Sequence, residues 1–225
     1  MENQIKYDSV FKKLLEEFPD NTIIDLIDEL FGQKHPHGTK VIRLATETHT
    51  DGKERRSDIM LRIGGEIYHA EIQSSDDSTI ALRVFEYSYR AALQHGKTVE
   101  KDSLRLKFPK STVFYLRSTP QTPREITVEL ELPDGKETSF KVPTKRLDEY
   151  APQDLTRNGT VIFAPFYPML YEKKLKSAAE LENLKNDVFF LIDKMREKVE
   201  TGEMSQKTAE IITGSMEDIL ENTMI

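Results

Sequence analysis

The sequence predicts a mixed α/β fold in the order helix, three strands, helix, strand. Three observations carry this. The chain opens on amphipathic helical spacing. Two alternating runs, Arg56–Ile63 and Glu66–Ser74, flank Gly64-Gly65, a strong two-residue hairpin signal. An amphipathic stretch, Ser78–His95, then leads to one more strand-like run, Ser111–Arg117. A helix crossing over between the third and fourth strands should set those two parallel, giving a mixed sheet flanked by helices.

Each element has its local reason. Asp8 is a candidate N-cap, followed by Val10, Phe11, Leu14, Leu15 and Phe18 at helical spacing. Pro19 interrupts the pattern, which resumes from Ile23 to Phe31 and can end at Gly32 in the left-handed conformation. Val41–Thr48 is β-rich and runs into the turn-like Thr50-Asp51-Gly52. In the second helix Leu82, Phe85, Tyr89 and Leu93 form the predicted apolar stripe, and a basic loop follows. Glu125–Leu132 and Glu137–Val142, around Pro133-Asp134-Gly135, read as an added hairpin, and residues 147–170 as irregular. In the tail, Leu181, Leu184, Val188, Leu191, Met195 and Val199 make one helical seam. Ile211, Ile212, Met216, Ile219 and Leu220 make a second after Thr201-Gly202. The organisation expected is a domain over 1–170 and a helical hairpin over 171–225, packed on the core or used to form a homodimer.

Composition excludes several classes. No apolar run approaches the roughly 18 residues of a membrane span, so no membrane partner is expected. The absence of cysteine removes disulfides, thiolate zinc sites and cysteine nucleophiles. The start of the chain has no apolar signal core, which predicts a cytoplasmic location. A net charge of −7 argues against a passive nucleic-acid coat protein. Charge is unevenly spread, however. Residues 83–124 hold nine Lys/Arg and three acids, whereas residues 172–225 hold eight basic and twelve acidic groups. No phosphate-cradling or dinucleotide glycine pattern is present, which disfavours ATP-driven and hydride chemistry.

The central hairpin holds the candidate chemistry. A two-residue turn at Gly64-Gly65 pairs Ile63 with Glu66, Met60 with His69 and Asp58 with Glu71. Asp58, Met60, Arg62, Ile67, His69, Glu71 and Gln73 then share one face; Ile59, Leu61, Ile63, Tyr68, Ala70 and Ile72 share the other, which must be core. Like charges facing across a ladder are destabilising. They become favourable when they share a divalent cation such as Mg²⁺ or Mn²⁺. The alternative is a solvated surface neutralised by Arg55 or Arg56, and the pairing alone leaves both readings open.

An Asp, a Gly-centred hairpin and Glu-X-Gln, set between a helical start and an Arg/Tyr-bearing helix, resemble the PD-(D/E)XK nuclease superfamily. Within it, the chain is similar to the transposase-related family of recombination-promoting nucleases. The matching stretches are Tyr7-Asp8-Ser9-Val10-Phe11-Lys12, Arg56-Ser57-Asp58-Ile59, His69-Ala70-Glu71-Ile72-Gln73, Arg83-Val84-Phe85-Glu86-Tyr87 and Ala164-Pro165-Phe166-Tyr167-Pro168. The resemblance implies a restriction-endonuclease-like αβββαβ core, with the added hairpin and helical tail outside it. It implies a metal-dependent endodeoxyribonuclease that hydrolyses DNA phosphodiesters with a metal-activated water, in recombination or mobile-element biology. Asp58, Glu71 and the Ile72 main-chain carbonyl would bind Mg²⁺ or Mn²⁺. Gln73 stands where the superfamily usually has Lys, so the positive charge would come from Lys12, Lys13 or Arg83. Asp8, Glu16 and Glu17 are candidates for an additional acid from the first helix.

On the second helix Arg83, Tyr87, Arg90 and Gln94 share one face. Arg83, Tyr87 and Arg90, with Lys12, are the candidate phosphate or DNA contacts; the other reading pairs Arg83 with Glu86 or Asp77 and packs Tyr87. His69 is expected to be packed or solvated rather than a base, and His35-Pro36-His37 offers poor metal geometry. The rival to the enzyme is a non-catalytic nuclease-fold module that binds DNA or a protein partner.

Overall fold

The computed structural model describes residues 7–44, 47–50, 53–56, 58–74, 78–172 and 174–223. In chain order its regular elements are α1 (Tyr7–Glu17), α2 (Asp20–Phe31), β1 (Val41–Arg43), β2 (Glu47–Thr50), β3 (Lys53–Arg56), β4 (Ile59–Ile63), β5 (Glu66–Gln73), α3 (Ile80–His95), β6 (Lys97–Glu100), β7 (Ser103–Leu106), β8 (Lys110–Tyr115), β9 (Glu125–Glu131), β10 (Glu137–Arg146), α4 (Ala178–Glu200) and α5 (Gln206–Thr223). Short 3-10 helices cover Leu147–Glu149 and Asp154–Thr156, and a longer one covers Val161–Tyr171. The chain sorts into two compact units, residues 39–145 and residues 1–38 with 146–225. No described helix is long and apolar enough to cross a membrane.

In the 39–145 unit a six-stranded sheet runs in the order β1-β4-β5-β8-β10-β9. The Gly64-Gly65 turn has φ of 58° and 91°. Two successive positive φ values match the right-handed twist of a tight hairpin, and glycine accepts both without a Cβ clash. The turn sets the ladder: Ile63 faces Glu66, Met60 faces His69 and Ile59 faces Ala70. Helix α3 carries the chain across, and β8 returns parallel to β5, with Glu71 beside Val113 and Gln73 beside Tyr115.

Helix α3 does not bury the stripe that its sequence predicts. Its inner face is Ile80, Val84, Tyr87, Ser88, Ala91 and Ala92. Val84 and Ile80 pack with Val113, Tyr115, Ile126 and Val142, while Tyr87 and Ala91 pack with Met60 and Ile67. Leu82 and Tyr89 are left 59% and 42% exposed. The helix therefore lies over the face that carries Met60, Ile67, His69 and Glu71. That face is not a solvated surface, and both faces of β5 are buried.

Other elements differ from the sequence reading as well. The single strand expected over Val41–Thr48 is β1 followed by a separate two-stranded ribbon, β2–β3. The Asp51-Gly52 turn and the Arg55 and Arg56 side chains lie outside the described residues, as does Asp77. The basic loop after α3 is itself a ribbon, β6–β7, in which Val99 pairs with Leu104 and Thr98 with Arg105. Asp8 lies inside α1 rather than ahead of it, and its side chain is outside the described residues.

In the other unit, α5 lies against the Val161–Tyr171 segment and α1, and α4 packs on both α5 and that segment. Leu184, Val188, Leu191 and Met195 of α4, and Ile212, Met216 and Ile219 of α5, are buried. Asp187 of α4 accepts from the phenols of Tyr167 (2.8 Å) and Tyr171 (2.7 Å). The HPH loop folds back on α2, with His35 on Asp28 and His37 Nε2 2.7 Å from Asp25.

Candidate functional site

The candidate site lies at the open end of the β4–β5 hairpin, away from its turn. Asp58 stands one residue before β4 and is 8% exposed. Its Oδ2 accepts from the Ile72 amide at 2.8 Å, so this carboxylate ties the end of β4 to β5. Ile72 thus meets Asp58 through its N–H, whereas the resemblance drew on its carbonyl.

Glu71 is fully buried, and both of its oxygens have partners. Oε1 lies 3.0 Å from His69 Nε2. Oε2 accepts from Arg83 Nη2 on α3. The other guanidinium arm, Nη1, reaches Gln73 Oε1 at 3.5 Å. Arg83 remains 25% exposed, so its outer edge reaches solvent while its tip neutralises a carboxylate that has none. A buried charge needs such a partner, because desolvation otherwise outweighs any gain from folding it in. Glu86, with Asp77 the alternative partner of Arg83 in the sequence reading, accepts from Arg90 Nη2 at 3.0 Å.

The polar chain continues beneath α3. His69 is fully buried; its Nδ1 lies 3.3 Å from Ser111 Oγ and 3.4 Å from Ser88 Oγ, and the two hydroxyls are 3.0 Å apart. Ser111 sits beside His69 in the parallel ladder, and Ser88 is on the inner face of α3. Neither serine was singled out from the sequence. The signal for Ser111 was the parallel register, which becomes readable only once the length of the crossover is known. Tyr87 meets the His69 ring edge-on, at 5.8 Å between centroids and 82° between planes. It is buried among Met60, Ile67 and Ala91, and burial, followed by the Glu71 charge, pushes its phenol pKa up. A ring so placed packs the core; it offers no face to a nucleobase.

Within the 39–145 unit the sequence-predicted residues are partly brought together. Asp58, Glu71, Ile72, Gln73, Arg83 and Tyr87 share one neighbourhood, while Arg90 turns to Glu86. Asp8, Lys12, Glu16 and Glu17 stand on α1 in the other unit, where Glu17 Oε1 pairs with Lys207 Nζ at 2.7 Å. Among the described residues, no group of three or more His, Asp or Glu side chains is disposed to hold a metal. The Mg²⁺ or Mn²⁺ implied by the resemblance would need an open carboxylate edge on Glu71. Arg83 and His69 take both oxygens, so this donor set does not fit the ion as arranged.

Comparison of the chain with protein-family models, with curated proteins and with solved structures found no match.

Proposed function

We propose that this chain is a non-catalytic nucleic-acid-binding module built on a PD-(D/E)XK-like core, in which the nuclease acids serve the fold. The observation that carries this reading is the double engagement of Glu71 by Arg83 and His69. An acid neutralised by a guanidinium and sealed under a helix supports a structural role. Nucleic acid is favoured as the partner by the excess of cations over residues 83–124. Lys97, Lys101 and Arg105 stand exposed on the β6–β7 ribbon without an ion pair among the described residues. Cations of this kind contact phosphates without reading sequence.

A second reading is favoured by one observation. The hairpin order and the Asp58–Ile72 contact bring Asp58 beside the strand that carries Glu71, as metal-dependent phosphodiester hydrolysis of this type requires. In that reading Arg83 must first leave Glu71.

The deciding experiment measures duplex-DNA binding across a salt series, together with plasmid cleavage in Mg²⁺ or Mn²⁺. Binding without cleavage is expected, with Lys97→Glu/Arg105→Glu lowering the log–log salt slope by roughly 0.9 per lost contact. Metal-dependent cleavage that disappears in Asp58→Ala would replace this reading with the hydrolytic one. Absence of DNA binding at low salt would remove both.

A further inference from the structure

A small cleft lies in the 39–145 unit, at the turn end of the β4–β5 hairpin. It is lined by Arg62, Gly65, Ile67, His95, Gly96, Lys107 and Phe108, and its volume is about 260 Å³. Here the structure leaves something unsatisfied. Nε2 of His95 is shut off from solvent and has no hydrogen-bond partner, and no other buried side-chain polar atom among the described residues is in that position. Buried polar atoms are almost always paired, so an orphan beside a cleft points to a missing group.

The surroundings define the chemistry of that group. Arg62 Nη2 lies 3.5 Å from the His95 carbonyl, which puts the guanidinium at the end of α3. Burial, and then the Arg62 charge, holds the His95 ring below the usual histidine range. Lys107 lines the same cleft. Its ammonium pairs with Glu66 at 2.6 Å, but both partners are substantially exposed, and such a pair is easily exchanged. Two cations and an orphaned imidazole nitrogen around one small space suit an oxyanion with several acceptor atoms. The negative end of the α3 dipole opposes an anion here, and Arg62 on the last carbonyl offsets it.

We propose that this cleft binds a phosphate group, held by Arg62 and Lys107, with the His95 ring turning to bring its now-covered Nε2 to the anion. What lies beside it points to a nucleic-acid strand as the bearer, and to that extent the inference rests on the nucleic-acid reading above. Phe108, in the cleft wall, stacks with Phe85 at 6.2 Å and 30°, and Phe85 stacks with Tyr89 at 6.2 Å and 12°. Tyr89 is open to solvent. Phe108 also meets Phe140, so Tyr89 is the ring of this row left open to a base, and a phosphate anchor with a base on an aromatic ring is how single strands are held without sequence preference.

The test follows the His95 ring nitrogens of the full chain by NMR during titration with inorganic phosphate. Wild type should show a saturable shift at Nε2, and Arg62→Gln should bind about tenfold more weakly, as loss of one charge-assisted contact implies. His95→Gln, checked by its melting curve, should weaken binding in parallel. A His95 signal that phosphate does not move, or an Arg62→Gln protein that binds like wild type, overturns the proposal. A second arm compares oligothymidylates with a 5′-phosphate and a 5′-hydroxyl. Tighter binding of the phosphorylated strand, lost in Arg62→Gln, assigns the phosphate to nucleic acid. Oligothymidylate binding that Arg62→Gln leaves unchanged, with inorganic phosphate still bound by wild type, assigns the cleft to a small phosphate compound. Because inorganic phosphate is used first, failure of the duplex-binding experiment does not decide this one.

Discussion

Arg83 of α3 donates to Glu71 of β5, and the carboxylate it meets is closed to solvent. The contact joins the crossover helix to the central strand by charge, next to Val84, which packs on Val113 beside Glu71.

Removal of Arg83 should therefore destabilise the protein more than removal of its charge partner. Breaking a buried ion pair costs about 3–5 kcal/mol when a charge is left alone. His69 still holds the other Glu71 oxygen, so the lower part of that range is expected for Arg83→Gln. Glu71→Gln should cost about 1–2 kcal/mol, because the amide keeps a hydrogen bond and Arg83 can turn its exposed edge to water. Urea titrations at neutral pH would compare the two. Equal losses below about 0.5 kcal/mol, the range of neutral surface changes, would mean that the pair does not hold α3 down.

The same contact predicts how the protein meets divalent ions. With the guanidinium in place, Mn²⁺ should leave the melting temperature of wild type unmoved. Arg83→Gln should acquire a Mn²⁺-dependent rise, lost again when Asp58→Ala is added. An ion at 100 times its Kd adds about 2.7 kcal/mol, so the effect is readily measured by thermal melts. A rise already present in wild type and abolished by Asp58→Ala would favour the hydrolytic reading.

His95 should impose a pH dependence of its own. Its folded pKa is lowered, by burial first and then by Arg62. Below the unfolded value near 6.5 the unfolded chain takes up the proton more readily, so stability falls as pH drops below about 6.5. The loss levels off once pH passes the folded pKa and both states are protonated. Above the unfolded value the full contribution is present. Denaturant midpoints followed from pH 7.5 to 5 should show this slope in wild type, reduced in His95→Gln. An identical slope in the two proteins would put its origin elsewhere.

Two glycines should fail for different reasons. A Cβ at Gly96 would stand 2.3 Å from the Lys107 carbonyl oxygen, on a residue whose own N–H donates to the Gly96 carbonyl at 2.9 Å. Gly96→Ala must push the ribbon away from the end of α3 and should cost about 1–3 kcal/mol, the usual range for overpacking. A Cβ at Gly65 would meet nothing within 4 Å, but φ is +91°. Gly65→Ala should therefore cost about 1–2 kcal/mol through backbone strain alone. Phosphate titration separates them further: Gly96→Ala, which moves Lys107, should weaken binding in the cleft more than its stability loss alone explains.

The hairpin at the centre of this protein was legible in the sequence. Two glycines between alternating runs allow one tight turn, and a period of two then places every side chain of β4 and β5 on a face. The helix that crosses over between β5 and β8 likewise predicted that the two run parallel. What covers those faces was not legible. Helix α3 has apolar residues on two sides, and the larger ones, Leu82, Phe85 and Tyr89, suggested the wrong side. The sheet accepts the side with Val84, Ser88, Ala91 and Ala92, because small residues let the helix approach Met60 and Ile67 closely. That choice of side brings Arg83 onto Glu71 and Ser88 onto His69. The sequence by itself thus determined where the acids stand along their strands. Only the tertiary structure decided that Glu71 is neutralised by a guanidinium under a helix, since burial and pairing of a charge depend on which element packs above it.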